Sequence, residues 1–512
     1  MKRIFLTSVS LALLIGCGEK FSMVTTTETD VWVAVAPEAH EVPVGTAENL
    51  QIDLNAEGQI IEGFGTAFSE MSFEALSWLS DEDRQAIYHE LFAPGVGANF
   101  TINRTPLGAN DFSLKYYSYN DVDGDLAMEN FSIENDRSTL IPSIKAALAE
   151  NPDMKVWASP WCPPAWMKTN KHYATRAMRS MRRAIDAAAP RPGGAPGQRA
   201  RGPQGGQSMG QQAVNAMAEK DMTGVITDNG IKPEQMGREG MMMFTPSEEY
   251  YAAYALYFQK YIQAYREEGI DIYMVMPQNE PNSAQWYPAC TWTPEGLAMF
   301  MKYLGPEMHK RGVQMYLGTV ERADVNMWNK ILTDPEVAPY IDGMGFQWAG
   351  KDALPELHKM YPDLPCYQTA QECGNGRNDW RGAMHSWDLM KHYLSNGVQS
   401  YLYWNTSLFE NGVSTWGWSQ NSLIVVDKDA KTFRYTPEYY VMKHASHYVL
   451  PGAKVLGLGG NYEDALAFVN PDGSTVVMAA NQTEEVKAVS VVVDGKTRTF
   501  ELPAGSLNTI VL

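Results

Sequence analysis

Short runs typical of β-strands alternate with longer amphipathic stretches from about residue 58 to residue 450 of this 512-residue chain. Each run is rich in β-branched or aromatic residues and most are followed by a helix candidate, which is the pattern of repeated βα units. The eight runs are 60–68, 99–107, 155–160, 271–278, 313–320, 341–348, 365–372 and 398–405. The helix candidates are 81–91, 139–150, 246–268, 294–310 and 385–395. Eight βα units predict an α/β fold, a (β/α)8 barrel over residues 58–450, whose functional side chains lie at the carboxyl ends of the strands.

A different pattern begins at residue 451 and continues to residue 512. It consists of period-two runs at 465–470, 474–481, 488–493, 498–502 and 508–512. Asp-Gly pairs at 472–473 and 494–495 fall between runs, where hairpins need residues that tolerate positive φ. These features predict a C-terminal antiparallel β-sandwich. Residues 24–57 contain further strand-like runs at 31–35 and 49–54, which we expect to contribute to the same sandwich.

The first 17 residues are typical of an export signal. Lys2 and Arg3 precede an apolar stretch over 4–15, which is too short to span a bilayer. The run Leu-Ile-Gly-Cys that ends at Cys17 resembles a bacterial lipobox, in which cleavage before the cysteine and lipidation of its thiol anchor the chain. An ordinary signal peptide with an incidental cysteine is the alternative. We expect an exported bacterial lipoprotein, anchored to a membrane only by this lipid and facing the periplasm or the cell surface.

Composition narrows the range of partners and cofactors. Asp and Glu number 60 against 41 Lys and Arg, for a net charge of -19. Phosphate backbones need a basic protein surface, so nucleic acid is not expected as a partner. The four cysteines after Cys17 are too few for a stabilising disulfide framework, and their spacing does not match a zinc site. We expect no metal and no organic cofactor, and the sequence leaves open whether Cys366 and Cys373 pair.

Residues 169–244 interrupt the barrel pattern after its third strand. This insertion is dense in Gly, Pro and Gln, which cannot bury enough surface to offset the entropy of ordering. A tolerated disordered insertion and a substrate-gating lid over the active face are both compatible with this composition.

Two glutamates end strands that lie opposite each other in such a barrel. Glu280 follows the fourth strand and Glu372 follows the seventh. A glycosidase needs two carboxylates that face each other: one protonates the departing oxygen and the other attacks or stabilises the anomeric carbon. A lone strand-end glutamate is more often solvated or salt-bridged. Here Asn279 could hold a sugar hydroxyl beside Glu280, and Gly374 would allow close approach of the backbone to a ligand beside Glu372.

Five stretches in this order resemble the retaining glycoside hydrolases of family 30, which include glucosylceramidases and β-1,6-glucanases. They are GFGTAFS at 63–69, RTPLGANDFS at 104–113, SPWCPPAWMK at 159–168, QNEP at 278–281 and the segment around Glu372. The resemblance spans most of the chain outside the leader and the insertion, and it implies the same barrel with an accompanying sandwich.

The resemblance also implies roles for individual residues. Glu280 would be the acid/base and Glu372 the nucleophile. Arg104 would lie near Glu372 and keep it ionised, since a nearby cation lowers a carboxylate pKa by roughly 1 to 3 units. Trp348 matches less securely, because Gln347 and Ala349 stand where many relatives carry His and Tyr. The other residues implied to bind substrate are Asp111, Trp161, Asn279, Tyr287 and Trp404.

The expected reaction is hydrolysis of a β-linked glucan by double displacement with retained configuration. Segment 282–293, which contains Tyr287, looks most like the β-1,6-glucanase branch of the family, so β-1,6-glucan is the first expected substrate. An exo-acting β-glucosidase, β-xylosidase or glucosylceramidase-like enzyme is the alternative. A third hypothesis is a surface glycan-binding lipoprotein without catalysis, which would be favoured if either strand-end glutamate were replaced.

Overall fold

The computed structural model describes residues 21–35, 47–178 and 225–512. Cys17 and the middle of the insertion lie outside these residues, so the expected lipidation site and the two readings of the insertion stay predictions. Phe244 at the end of the insertion is buried and forms a β-bridge with Lys168. Within the described ranges, no helix has the length and apolarity needed to cross a membrane.

Eight parallel strands close into a barrel, which confirms the predicted fold class. The strands are β4 (Gly63–Ala67), β5 (Ile102–Pro106), β6 (Lys155–Ser159), β7 (Ile272–Val275), β8 (Gln314–Val320), β9 (Gly343–Gln347), β10 (Cys366–Ala370) and β11 (Val398–Asn405). Each of them lies inside one of the eight runs expected from the sequence. The interior is filled by side chains such as Trp157, Met276, Tyr316 and Tyr367, so the barrel is a packed core whose chemistry is confined to its ends.

Helices surround the barrel and bury their apolar faces against it. They are α1 (Glu70–Ser77), α2 (Asp81–Phe92), α3 (Glu134–Arg137), α4 (Leu140–Glu150), α5 (Glu248–Glu267), α6 (Pro294–His309), α7 (Val325–Leu332), α8 (Gly350–Met360), α9 (Trp380–Ser395) and α10 (Pro437–Ser446). Side chains at Ser80, Ser247, Thr293 and Asp379 cap helix N-termini by accepting backbone N–H groups. The sequence pattern did not predict α1, α3, α7, α8 or α10, which have 4 to 11 residues and provide few turns in which a 3.6-residue period can stand out.

A nine-stranded sheet accompanies the barrel. It comprises β1 (Ser22–Thr27), β2 (Val33–Val35), β3 (Glu48–Ile60), β15 (Lys454–Gly460), β16 (Ala465–Val469), β17 (Thr475–Asn481), β18 (Lys487–Val493), β19 (Lys496–Leu502) and β20 (Ser506–Val511), and its order is β19-β18-β3-β15-β16-β17-β20-β1-β2. Strands from both ends of the chain therefore form one sheet. A further three-stranded sheet joins β12 (Ser407–Phe409), β13 (Ile424–Asp427) and β14 (Thr432–Tyr435).

Alternating side chains of the nine-stranded sheet pack into two different hydrophobic cores. On β16, Ala465 and Ala467 pack within the sheet domain, whereas Leu466 and Phe468 join the core that includes the barrel helices. This is the period-two pattern of a strand that is buried on both faces. The sheet is thus fixed against the barrel by a continuous apolar core.

The four cysteines in the described residues, Cys162, Cys290, Cys366 and Cys373, are buried and free. Cys366 and Cys373 therefore do not form a disulfide in this structure.

Candidate active site

A cavity lies at the carboxyl ends of the barrel strands, where residues that end or follow β5, β6, β7, β9, β10 and β11 converge. Its lining residues are Asp111, Trp161, Asn279, Glu280, Tyr287, Gln347, Trp348, Ala370, Gln371, Trp404, Trp418 and Gln420. The structure therefore brings Glu280 together with six of the seven residues that the sequence suggested for substrate binding. The seventh, Arg104, is fully buried and does not line the cavity, but it binds Asn279 and Gln347, which do.

Glu280 is placed for proton transfer in this cavity. Its backbone has a φ of 48°, a left-handed conformation that is uncommon for a residue other than glycine and is concentrated at functional sites. The Glu280 N–H donates to Thr319 Oγ1 at 2.9 Å, and Glu280 Oε1 accepts from Gln347 Nε2 at 2.8 Å. Burial raises the pKa of Glu280, although the hydrogen bond from Gln347 opposes the rise. The carboxyl group therefore retains a proton to a higher pH than an exposed glutamate does.

Arg104 lies on β5, and its hydrogen bonds go only to neutral groups. Its Nη2 donates to Ser159 Oγ and Asn279 Oδ1, both at 2.7 Å, and its Nη1 donates to the Thr369 carbonyl oxygen at 3.0 Å. Its guanidinium carbon lies 4.4 Å from the ring centroid of Trp161. Among the described residues Arg104 forms no ion pair.

Asp111 and Trp404 present buried polar atoms that lack hydrogen-bond partners of normal geometry within the described residues, although Trp404 is near enough to Asp111 to lower the pKa of that carboxyl. These atoms are Asp111 Oδ1 and Trp404 Nε1. The Trp404 ring stacks on that of Trp161 with a centroid separation of 4.9 Å. Burial and the nearby charge of Glu280 raise the pKa of Asp111 to about 8. An acceptor, a donor and a flat apolar surface side by side match the hydroxyls and the face of a sugar ring.

Gln347, which departs from the family pattern, connects Arg104 with Glu280 through hydrogen bonds. Besides donating to Glu280, it accepts through Oε1 from Thr369 Oγ1 at 2.8 Å and from Arg104 Nη1 at 3.4 Å. Its amide is therefore fixed in one orientation, with the N–H side toward Glu280. The next residue, Trp348, also has a left-handed φ of 48° and lines the cavity.

Glu372 does not line this cavity. Its Oε1 accepts from Lys351 Nζ of α8 at 2.7 Å, and its Oε2 lies 3.6 Å from His385 Nε2 of α9. Burial opposes ionisation of Glu372, but His385 and Lys351 outweigh it and lower the pKa below the usual value. Glu372 is an ion-paired carboxylate of the helix layer, and the expected pair of facing glutamates is not formed in this structure.

Glu372 lies outside the cavity because β10 ends before it. The strand ends at Ala370, two residues before Glu372, and its pairing with β9 shifts register between Gln368 and Ala370. Ala370 and Gln371 line the cavity instead, although the Gln371 amide is bound by Ser386 Oγ and Tyr401 Oη at 2.6 and 2.9 Å. The expectation that Arg104 lies near Glu372 is corrected for the same reason, since the cations that contact Glu372 are Lys351 and His385.

Glu321 is a buried acid of this region that sequence reasoning missed. It directly follows β8 and accepts from the Asn282 N–H at 2.7 Å. Burial, together with the charge of Glu280, raises its pKa to about 8. Its position just after a barrel strand is the signal that could have identified it.

Curated relatives match this chain over nearly its whole length. A putative glucosylceramidase 1 of Caenorhabditis elegans is 26% identical over 503 residues, which cover 92% of this chain and 84% of the relative. An endo-1,6-β-D-glucanase of Trichoderma harzianum is 25% identical over 511 residues, covering 94% and 90%.

Solved structures share the fold. The endo-β1,6-glucanase BT3312 has a TM-score of 0.74 at 24% identity, with 96% of this chain and 99% of the other covered. The glycosyl hydrolase family 30 TIM-barrel domain model matches residues 61–182 and 230–449, and the family 30 β-sandwich domain model matches residues 452–510. The chain therefore belongs to glycosyl hydrolase family 30, as its sequence motifs indicated.

Proposed function

We propose that the barrel mouth binds and cleaves a β-linked glucan, with β-1,6-glucan as the preferred substrate and Glu280 as the acid/base. Family membership supports a glycoside hydrolase. The observation that carries the assignment of Glu280 is its position: it is buried in the same cavity as the unpartnered polar atoms of Asp111 and Trp404. A sugar held by those atoms would place its glycosidic oxygen within the same small cavity as the Glu280 carboxyl.

The protonation state of Glu280 suits this role. A general acid works best when its pKa lies near the operating pH, and burial moves the pKa of Glu280 in that direction. The neutral amide of Gln347 holds the carboxyl in place. The geometry supports Glu280 as the acid/base but does not support Glu372 as the nucleophile. The retaining double displacement implied by the resemblance therefore lacks its nucleophile in this structure.

A rim of aromatic side chains beside the cavity supports a polymeric substrate. Trp418 lines the cavity and packs edge-on against Trp286 at 5.6 Å, and Trp286 Nε1 donates to the Trp416 carbonyl oxygen at 3.0 Å. Tyr116 stacks against Tyr173 at 5.2 Å close by. Flat rings that continue outward from a sugar pocket can hold further residues of a glycan chain. The endo-1,6-β-D-glucanase relative is consistent with β-1,6-glucan as that chain.

An exo-acting enzyme of the glucosylceramidase or β-glucosidase type is the second candidate. It is favoured by the glucosylceramidase relative, whose identity to this chain is as high as that of the glucanase. For such an enzyme a single sugar would fill the cavity and the aromatic rim would hold the non-sugar part or the next residue.

We also propose that the chain is an exported lipoprotein attached through Cys17. Mass spectrometry of the mature N-terminus would detect the lipid, and Cys17→Ala should move the protein from the membrane fraction to the soluble fraction. Retention of the unmodified Cys17→Ala protein in the membrane would contradict this proposal.

The glycan assignment is tested by titration calorimetry with β-1,6-, β-1,3- and β-1,4-linked gluco-oligosaccharides and with xylo-oligosaccharides. We expect the β-1,6 series to bind most tightly and its affinity to rise with chain length. Asp111→Asn should weaken binding in every series, whereas Glu410→Gln, which removes one member of an exposed ion pair with Arg434, should not. Equal affinity for a single glucose and for longer chains would favour the exo-acting candidate, and absence of binding in every series would contradict the proposal.

A further inference from the structure

Arg104 is a buried cation that forms no ion pair with a carboxylate among the described residues, although the carboxyl groups of Asp111 and Glu280 are near enough to raise its pKa against the effect of burial. It has no exposed surface, and the four side-chain and backbone oxygens that it binds belong to Ser159, Asn279, Gln347 and Thr369, all of them neutral. Its Nε is buried without a partner in the described residues. A buried charge is costly unless a counter-charge compensates it. The guanidinium therefore favours an anion in the neighbouring cavity, which Asn279 and Gln347 line.

Ala370 adjoins this cation. The Thr369 carbonyl oxygen, which accepts from Arg104 at 3.0 Å, belongs to the peptide unit that precedes Ala370. Ala370 pairs in register with Gln347, whose amide binds both Arg104 and Glu280. Ala370 lines the same cavity as Glu280. Residue 370 is thus the point at which β10 meets the cavity, and its side chain carries no functional group.

Glu372, the carboxylate expected to act as the nucleophile, forms ion pairs outside the cavity. Glu372 is held by Lys351 and His385 in the helix layer, and its side chain is only 6% exposed. Asp111 is the other carboxylate in the cavity lining, and a raised pKa keeps it protonated at neutral pH. A protonated carboxyl is a poor nucleophile.

We propose that the cavity beside Ala370 admits a small external anion, favoured by the nearby Arg104 guanidinium, which attacks the anomeric carbon in place of a protein nucleophile, so that cleavage at this site inverts the configuration. The proposal rests on the proposed function, because it assumes that a β-glycoside occupies the cavity with its leaving oxygen toward Glu280.

The reaction is a single displacement. A lone pair of the anion forms a bond to the anomeric carbon while the bond from that carbon to the leaving oxygen breaks. The electron pair of the broken bond stays with the leaving oxygen, which takes the proton of Glu280. Azide would thus convert a β-glucoside into an α-glucosyl azide and the free alcohol, and no covalent glycosyl-enzyme would form.

The first experiment uses the full-length protein and an aryl β-glucoside with a good leaving group. Release of the phenol is measured in sodium azide or sodium formate against sodium chloride at equal ionic strength. We expect acceleration on the order of 10-fold to 100-fold at about 1 M anion. The acceleration stays in this range because a free anion lacks the high effective concentration of a positioned side chain. Nuclear magnetic resonance should identify the α-glucosyl azide. A rate that azide and formate leave unchanged would overturn the proposal.

The second experiment installs the missing group. Ala370→Glu places a carboxylate beside Arg104, and it should raise hydrolysis without added anion by on the order of 1000-fold or more and give retained configuration. The matched control, Ala430→Glu, adds the same charge on an exposed turn and should leave the rate of the parent unchanged. Anion acceleration of the parent does not depend on folding of the Ala370→Glu variant, so the proposal can be judged from either experiment.

Two further outcomes separate this inference from the proposed function. If the parent hydrolyses β-glucosides with retention and without added anion, and Glu372→Gln abolishes that activity, the inference is overturned while the glycan assignment stands. If azide accelerates cleavage of the aryl glucoside but no gluco-oligosaccharide binds, the inference stands and the substrate assignment fails.

Discussion

Replacing Glu372 with Gln distinguishes a carboxylate that stabilises the fold from one that performs chemistry. The Glu372 carboxylate lies 2.7 Å from Lys351 Nζ, and the two side chains are 6% and 27% exposed. Lys351 Nζ also donates to the Trp348 carbonyl oxygen at 3.1 Å. The ion pair therefore connects the helix layer to one wall of the cavity.

The expected loss of stability follows from this geometry. Hydrogen bonds to charged groups contribute about 1.5 to 3 kcal/mol, and a mostly buried pair should be in this range. We expect Glu372→Gln to lower the free energy of unfolding by about 2 kcal/mol at pH 7. Because the pKa of Glu372 in the fold is below its ordinary value of 4.5, the contribution is present above that value and is lost as pH falls through the folded pKa.

The assay is urea unfolding of the parent, Glu372→Gln, Lys351→Met and the double variant at pH 7. The cycle should give a favourable coupling energy at neutral pH that decreases once pH falls below 4.5 and is lost as pH falls through the lowered pKa of Glu372. Glu410→Gln, which removes one member of an exposed pair with Arg434, should change stability by less than about 1 kcal/mol. Any rate measured for a β-glucoside should stay within about 10-fold of the parent. Additive effects in the cycle, or a lost rate with unchanged stability, would refute the reasoning.

Four other predictions follow from the same contacts. Glu280→Gln should lower cleavage of glucosides with poor leaving groups by about 100-fold to 10,000-fold while oligosaccharide binding is kept, and an unchanged rate would exclude Glu280 as the acid. Gln347→Leu removes the bond that opposes the effect of burial on Glu280, so the basic limb of the pH profile of anion-accelerated cleavage should move to higher pH; a move to lower pH would contradict this assignment. Trp404→Phe keeps an aromatic ring but makes it smaller and removes Nε1, and calorimetry should detect binding weaker by at least about 1 kcal/mol, the contribution of one neutral hydrogen bond. Asp136 is buried, it accepts hydrogen bonds from three tyrosine hydroxyls, and burial raises its pKa from 3.8 to about 6. As pH rises from 4 to 7, the free energy of unfolding of the parent should therefore fall by up to about 3 kcal/mol relative to that of Asp136→Asn, as measured by urea unfolding. Parallel stability curves for those two proteins would contradict the last prediction.

Local sequence patterns were sufficient for the architecture. Each barrel strand begins and ends within a run identified from residue type alone, because a strand buried on both faces requires a continuous apolar or β-branched segment. The same holds for the positions of Asp111, Trp161, Asn279, Glu280 and Trp404, which follow or end strands. Since the carboxyl ends of parallel strands meet at one end of a barrel, the convergence of these five residues on one cavity could be predicted from the sequence.

Tertiary structure alone decided which way the residues after β10 face. The strand ends at Ala370, so the period-two alternation of side chains along β10 does not fix the direction of Glu372 two residues later. That direction depends on how the segment after β10 packs against Lys351 of α8 and His385 of α9, which no local pattern encodes. The sequence determined that a glutamate follows the seventh strand, whereas the packing of Lys351 and His385 determined that its carboxylate lies in the helix layer and that Ala370 lines the cavity that contains Glu280.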